Sequence, residues 1–170
     1  MIIETKRLIL REMTQDDFSS LALILQDSEV MKAYEHPFSN QEVQDWLDKQ
    51  LKRYLEDGFG LWAVINKEDN ELIGQCGLTY QTVNELQVVE IGYLFQKAYW
   101  HQGYAIEAAR ACKEYAFKQG IDEVYSIIRD NNIPSQKVAE RNGLTYKYSI
   151  NKHYYGLDMN HLVYSIKRNV

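Results

Sequence analysis

Residues 99–109, Tyr-Trp-His-Gln-Gly-Tyr-Ala-Ile-Glu-Ala-Ala, set a glycine turn between an apolar strand and a helix of small residues. That order builds an anion site from main chain alone. The first turn of a helix leaves about four N–H groups without intrahelical partners and carries roughly half a positive charge, so a phosphate needs no basic side chain there. A nucleotide P-loop is excluded, because the Gly-Lys-Ser/Thr that such a loop requires is missing.

The elements around this turn follow from local pattern. In the strand Val88–Phe95, Val89, Ile91, Tyr93 and Phe95 share one face, while Val88, Glu90, Gly92 and Leu94 share the other. Glu90 thus points away from the bulkier set. Tyr104, Ala108, Ala111, Cys112 and Tyr115 trace one side of the following helix, which Lys118-Gln-Gly120 ends. A strand over Glu123–Ile128 and a short helix from Pro134 to Asn142, closed by Gly143, come next. The crossover makes Val88–Phe95 and Glu123–Ile128 parallel neighbours. Asn132 is a natural turn residue before Pro134, and Ser135 a natural helix-start hydroxyl.

Upstream, Arg7–Arg11 reads as a strand and Thr14–Asp17 as the cap of a helix through Phe18, Leu21, Ile24 and Leu25. Ser39-Asn-Gln-Glu42 is a capping box. Val43, Trp46, Leu47, Leu51, Tyr54 and Leu55 then recur at helical spacing until Asp57-Gly58. Leu61–Ile65 and Leu72–Thr79 flank the turn-rich Lys67–Asn70, which predicts a hairpin, and Leu144–Ile150 and Met159–Ile166 are the last strands. The fold class is α+β, a mixed sheet with helices against it.

The bulk numbers narrow the class further. With 170 residues, 45% of them apolar and two prolines, the chain is one globular domain with no repeat or linker. A net charge of −5 argues against direct nucleic-acid binding and suits cationic substrates. Cys76 and Cys112 form no C-x-x-C pair and have no histidine cluster beside them, so neither a disulfide framework nor a metal site is expected. A reducing cytoplasm fits. The start, Met1-Ile-Ile-Glu-Thr-Lys-Arg, meets charges too early for a secretion signal, and no run approaches the ~18 apolar residues of a membrane span.

Three stretches taken together resemble the GNAT superfamily of acetyl-CoA-dependent N-acetyltransferases. They are Glu-Thr-Lys-Arg-Leu-Ile-Leu-Arg at 4–11, Trp-His-Gln-Gly-Tyr-Ala-Ile-Glu-Ala at 100–108, and Asn-Ile-Pro-Ser with Ala-Glu-Arg-Asn-Gly-Leu between 132 and 144. The similarity covers nearly the whole chain and lies closest to the branch of ribosomal-protein N-terminal and spermidine acetyltransferases. The superfamily's Gln/Arg-x-x-Gly-x-Gly/Ala signature falls on Trp100, Gly103 and Ala105. Its first position departs from the pattern, and tryptophan is common there in this branch.

The resemblance implies a GNAT-like fold: a central twisted, mostly antiparallel sheet of about seven strands with one splayed parallel pair, flanked by about four helices. It implies acetyl-CoA as co-substrate, no metal, and a primary amine as acceptor: a protein N-terminus, a polyamine or another small amine. The pyrophosphate would rest on the amides of His101, Gln102, Gly103, Tyr104, Ala105 and Ile106. Leu94, Phe95 and Asn132 would hold the pantetheine arm, with an oxyanion donor N–H near Leu94. Glu90 stands where relatives often hold the base, and Ser135 where this branch holds the acid for the leaving thiolate; the tyrosine that many members use four positions on is replaced by Ala139. Otherwise Glu90 is a solvated strand glutamate or a partner for a nearby lysine, and Ser135 a helix-start hydroxyl.

Tyr34, His36, Phe38, Trp46 and Tyr54 crowd the first helical region, which forms one wall of the acceptor cleft in relatives. His153, Tyr154 and Tyr155 would face it, where aromatic rings could hold a cationic amine. A non-catalytic acyl-CoA-binding regulatory module on the same fold is the rival reading. The sequence leaves the oligomeric state open, with a homodimer through the paired last strands a form such folds often take; no membrane partner is expected.

Overall fold

Two long strands joined by a tight turn form the middle of the molecule. A computed structural model describes residues 1–154 and 156–169, with main chain only at Tyr154. Among the described residues the strands are β1 (Ile3–Glu4), β2 (Leu8–Arg11), β3 (Leu61–Asn66), β4 (Leu72–Val83), β5 (Leu86–Phe95), β6 (Glu123–Arg129), β7 (Thr145–Tyr154) and β8 (Leu157–Lys167). The helices are α1 (Phe18–Leu25), α2 (Asn40–Glu56), α3 (Tyr104–Lys118) and α4 (Ile133–Arg141). They join one open sheet in the order β1-β2-β3-β4-β5-β6-β8-β7. Every pairing is antiparallel except β5 with β6.

The sheet thus has eight strands where about seven were expected. The additional one is the two-residue β1, whose Ile3 pairs with Leu10, too short to show an alternating pattern. β4 and β5 also run further than expected, to a turn at Asn84 and Glu85, whose φ angles of 49° and 68° are both left-handed. Such a hairpin turn is usually announced by glycine, and none stands here.

Two apolar layers sandwich the sheet. α3 lays Ala108, Ala109, Cys112 and Ala116 on a face carrying Trp62, Val64, Ile73 and Val89. The small residues permit that close approach. Gly74 is needed beneath it, because a Cβ there would meet the Phe95 ring at 2.4 Å. Cys76 and Cys112, 36 residues apart in the chain, touch in this layer as free buried thiols with Sγ atoms 3.6 Å apart. α1 and α2 cover the other face through Leu21, Ile24, Val43 and Leu47.

The capping box of α2 is present, with the Glu42 amide donating to Ser39 Oγ at 3.2 Å and the Ser39 amide to Glu42 Oε1 at 3.0 Å. The apolar stripe of α2 needs one correction. Leu55 is 89% exposed, whereas Gln50 is fully buried and takes the Leu61 N–H at 3.1 Å. The buried face runs through Val43, Leu47 and Gln50, with Tyr54 partly covered beyond them, and position 55 falls off its edge. Among the described residues no helix is long and apolar enough to cross a membrane.

Candidate active site

The turn before α3 leads the chain into the helix through two left-handed residues, His101 at φ 62° and Gly103 at φ 81°. Among the described residues no protein acceptor takes the amides from His101 to Ile106; the next amide, Glu107, starts the helical ladder on Gly103 O at 3.2 Å. The turn is braced from behind. Trp100 Nε1 donates to Phe95 O at 3.0 Å, and Gln102 Nε2 to Ala98 O at 3.1 Å. Tyr104 buries its ring beneath the turn, with the Arg7 guanidinium 4.2 Å from the ring centre.

The Thr5–Arg7 segment fastens this turn to the sheet edge. Glu107 accepts from Thr5 Oγ1 at 2.6 Å, Arg7 Nε at 2.7 Å and the Arg7 amide at 3.0 Å, and Arg7 Nη1 reaches Gln102 O at 3.0 Å. Burial would raise the Glu107 carboxyl, but these donors outweigh it and hold the group below the usual carboxylate range. Sequence reading flagged both stretches, 4–11 and 100–108, without seeing that they touch.

Beside the turn the sheet opens. β5 and β6 pair only at Val89 with Val124 and Glu90 with Tyr125, after which β5 stays with β4 and β6 with β8. The gap widens towards Leu94, which lines it, and towards Phe95, whose ring is buried and whose carbonyl is taken by Trp100. A diverging parallel pair leaves main-chain donors and acceptors without ladder partners, the arrangement in which an extended amide-bearing arm can act as a strand. A helix start with open amides next to such a gap has the shape and polarity to suit a diphosphate joined to an extended amide-bearing arm.

Glu90 stands at the fork. Its Oε2 accepts the Ile127 N–H at 2.7 Å, an amide that the splay strips of a strand partner. Protein surrounds the carboxyl closely while one side keeps contact with the cleft. Burial pushes it up to about 7, against the Ile127 bond and the Lys152 and Arg53 charges, which pull the other way. A group poised there exchanges protons at neutral pH.

Ser135 and Asn132 lie across the gap and line the same cleft as Glu90 and Leu94, a space of about 500 Å³. Asn132 caps α4, its Oδ1 taking the Ser135 amide at 3.3 Å, and Ser135 lies inside the helix rather than capping it. Tyr93 donates from its hydroxyl to Ser135 O at 3.1 Å and is pushed upward by burial, which keeps it protonated. This tie between β5 and α4 escaped the sequence reading, since Tyr93 looked like one more core residue. Ala139, at the place of the common tyrosine, is buried.

The other wall of the cleft comes from α2 and the segment before it. Tyr34, Phe38 and Trp46 line it, meeting edge to face with ring centres 5.7–6.4 Å apart. Tyr54 belongs to the core, its hydroxyl donating to Leu61 O and accepting from the Met13 amide at 3.2 Å. His36 joins Glu42 at 3.0 Å. His153 does not reach the cleft; it pairs with Asp158 at 2.9 Å beside a neighbouring hollow. The Tyr154 side chain and Tyr155 lie outside the described residues. Lys49, Arg53, Arg129, Lys152 and His161 also line the cleft, and none was singled out from sequence. Among the described residues no group of three or more His, Cys, Asp or Glu could hold a metal.

An open mixed sheet split at one parallel pair, with a helix N-terminus at the mouth of the split, defines an acyl-CoA-dependent transferase architecture. Residues 7–145 match the Acetyltransferase (GNAT) domain, and the chain belongs to that family. It is 34% identical over 150 residues to the uncharacterised protein YkkB of Bacillus subtilis, covering 87% of each chain. It is 32% identical over 146 residues to the uncharacterised N-acetyltransferase YnaD of the same organism, covering 85% of this chain and 82% of that one. Among solved structures it resembles a GNAT-family acetyltransferase from Bacillus anthracis, with a TM-score of 0.82, 25% identity and 97% of both chains covered. The protein is an acetyl-CoA-dependent acyltransferase.

Proposed function

We propose that the chain moves an acetyl group from acetyl-CoA to a primary amine by direct attack within a ternary complex. Acetyl-CoA supplies the thioester; the amides from His101 to Ile106 hold its diphosphate, and Leu94, Phe95 and Asn132 its pantetheine arm. Glu90 takes the proton of the attacking ammonium, directly or through water. A main-chain N–H near Leu94 steadies the oxyanion, and Ser135 returns a proton to the thiolate. The reading rests above all on Glu90, a carboxyl raised to about 7 in a cleft that Ser135 shares.

The need for a base sets how much Glu90 matters. An α-amine of pKa ~8 is about a tenth neutral at pH 7, whereas a lysine-type amine near 10.4 is neutral in well under about one part in a thousand. The two free buried thiols accord with a reducing compartment, and we place the reaction in the cytoplasm.

Free-thiol release from acetyl-CoA, measured across peptides beginning with Ala, Ser or Thr, free amino acids, spermidine and aminoglycosides, tests this. Turnover of at least one amine, lost in Glu90→Gln while coenzyme A still binds, is expected. Binding of acetyl-CoA with no turnover across the panel would turn the protein into a sensor.

A further inference from the structure

The cleft that faces Glu90 carries the opposite charge from the chain as a whole. Although the net charge is −5, Glu90 is the one carboxylate among the described lining residues, against Lys49, Arg53, Arg129 and Lys152. Arg129 is neutralised by its ion pair with Glu35. The pair on α2 makes no such contact among the described residues.

Lys49 and Arg53 stand one helical turn apart on the cleft side of α2. Arg53 Nη1 donates to the neutral Gln50 Oε1 at 3.1 Å, while the Asp57 and Glu90 carboxylates attract it from beyond ion-pair distance. Neither cation forms an ion pair among the described residues. The acids of α2 are engaged elsewhere: Asp45 by Gln41 at 2.8 Å, Asp48 by Gln15 at 2.9 Å and Gln44 at 2.8 Å, and Glu56 by Lys52 at 4.0 Å. Like charges at this spacing destabilise a helix. Burial lowers both groups from their usual values, and the Arg53 charge lowers Lys49 further. Two cations on one wall of the cleft, neither held by a carboxylate in ion-pair contact, are what an anion subsite requires.

The aromatic rings of the same wall fit this assignment. Tyr34, Phe38 and Trp46 pack edge to face on one another, so they offer the carbon skeleton of a ligand an apolar bed rather than a set of open ring faces for a cation. A polyamine would bring two or more positive charges against this wall. It would meet Lys49 and Arg53 there, with Glu90 the one carboxylate of the described lining to offset them.

We propose that the acceptor is an amine carrying its own carboxylate, seated with the amine at Glu90 and the carboxylate against Lys49 and Arg53. This rests on the acetyltransferase reading above and narrows its acceptor. The carboxylate has two sources, a free amino acid or the acidic side chain near the start of a peptide, and the chemistry of the subsite is the same for both.

Thiol release with matched pairs is the test: leucine against leucinamide, a Ser-Asp peptide against its Ser-Asn counterpart, with spermidine alongside. At least one pair should favour its carboxylate-bearing member by tenfold or more in kcat/KM, and Lys49→Gln and Arg53→Gln should bring the ratio close to one, chiefly through KM. A faster free amino acid marks a small-molecule substrate, a faster Ser-Asp peptide an acidic N-terminus, and either supports the subsite. Parity in the wild type, or spermidine outrunning both, overturns it.

Should no amine be acetylated, the transferase reading fails, and thermal stabilisation of the coenzyme A-loaded protein still decides the subsite. Glutarate raising Tm in the wild type but not in Lys49→Gln, a substitution at an exposed position, supports the proposal. Stabilisation by putrescine alone, or by neither, overturns it.

Discussion

The two halves of the cleft are made of different materials. On the side proposed for the cofactor, the groups on offer are the main-chain amides from His101 to Ile106 and the edges of β5 and β6, with side chains such as Glu107 and Trp100 bracing from behind. On the acceptor side the surface is side chain: Tyr34, Phe38, Trp46, Lys49, Arg53 and Glu90. A backbone site is specified by a few conformationally necessary residues and tolerates change elsewhere. A side-chain site takes its specificity from charges and rings that can be exchanged without disturbing the fold.

Four substitutions test that contrast. The largest effect is expected for Glu90→Gln: kcat/KM should fall by about 10²–10⁴ at neutral pH, while acetyl-CoA affinity changes little. In the wild type kcat/KM should rise with pH through an apparent pKa near 7, since the base works ionised and Glu90 is raised to about 7, and this limb should vanish in the variant. Stability carries the opposite slope. The folded protein holds the Glu90 proton that the unfolded chain loses near the ordinary glutamate value of 4.5, so stability should fall as pH climbs from there to about 7 and then level off. In Glu90→Gln, chemical denaturation should show this slope flattened by about 1–3 kcal/mol.

Next comes Gly103→Val, which forces a β-branched residue into a φ of 81°. Acetyl-CoA KM should rise about tenfold or more as the amides lose alignment, with selectivity among acceptor amines unchanged. If selectivity shifts instead, the two halves are not separate.

Glu107→Gln weakens the charge-assisted contacts with Thr5 and Arg7. With Arg7 38% and Glu107 20% exposed, a loss of about 1 kcal/mol is expected, or a Tm lower by about 2–4 °C by calorimetry. Smallest of all should be His101→Gly. The side chain is exposed and the residue already left-handed at φ 62°, so acetyl-CoA KM should stay within about threefold of the wild type. A tenfold rise would show the imidazole to be a ligand and end the claim that the turn recognises through its main chain.

The same division governs what could be read in advance. The turn at 100–106, the parallel pair and the face of Glu90 were legible, because each follows from local rules: glycine conformation, strand–helix–strand order and the period of two along β5. Gln50 in place of Leu55 on the buried face of α2 was not, since a helical stripe drawn from hydropathy alone overlooks a glutamine that pairs with the Leu61 amide. The Lys49–Arg53 pair offered only its spacing. On most helices such a pair is a solvated face.

The sequence determined by itself that a glycine-led helix start would link the two strands of a parallel pair, since short-range chemistry and chain order settle both; the splitting of that pair was implied only by the family resemblance. Tertiary structure decided what those elements face. It set Thr5 and Arg7 behind the glycine turn, Glu90 on the Ile127 amide, and two cations outside any ion pair in a cleft of an acidic protein. Local rules reach only a few residues along the chain, whereas the charge a cleft presents is the sum over segments that only folding brings within reach of one another.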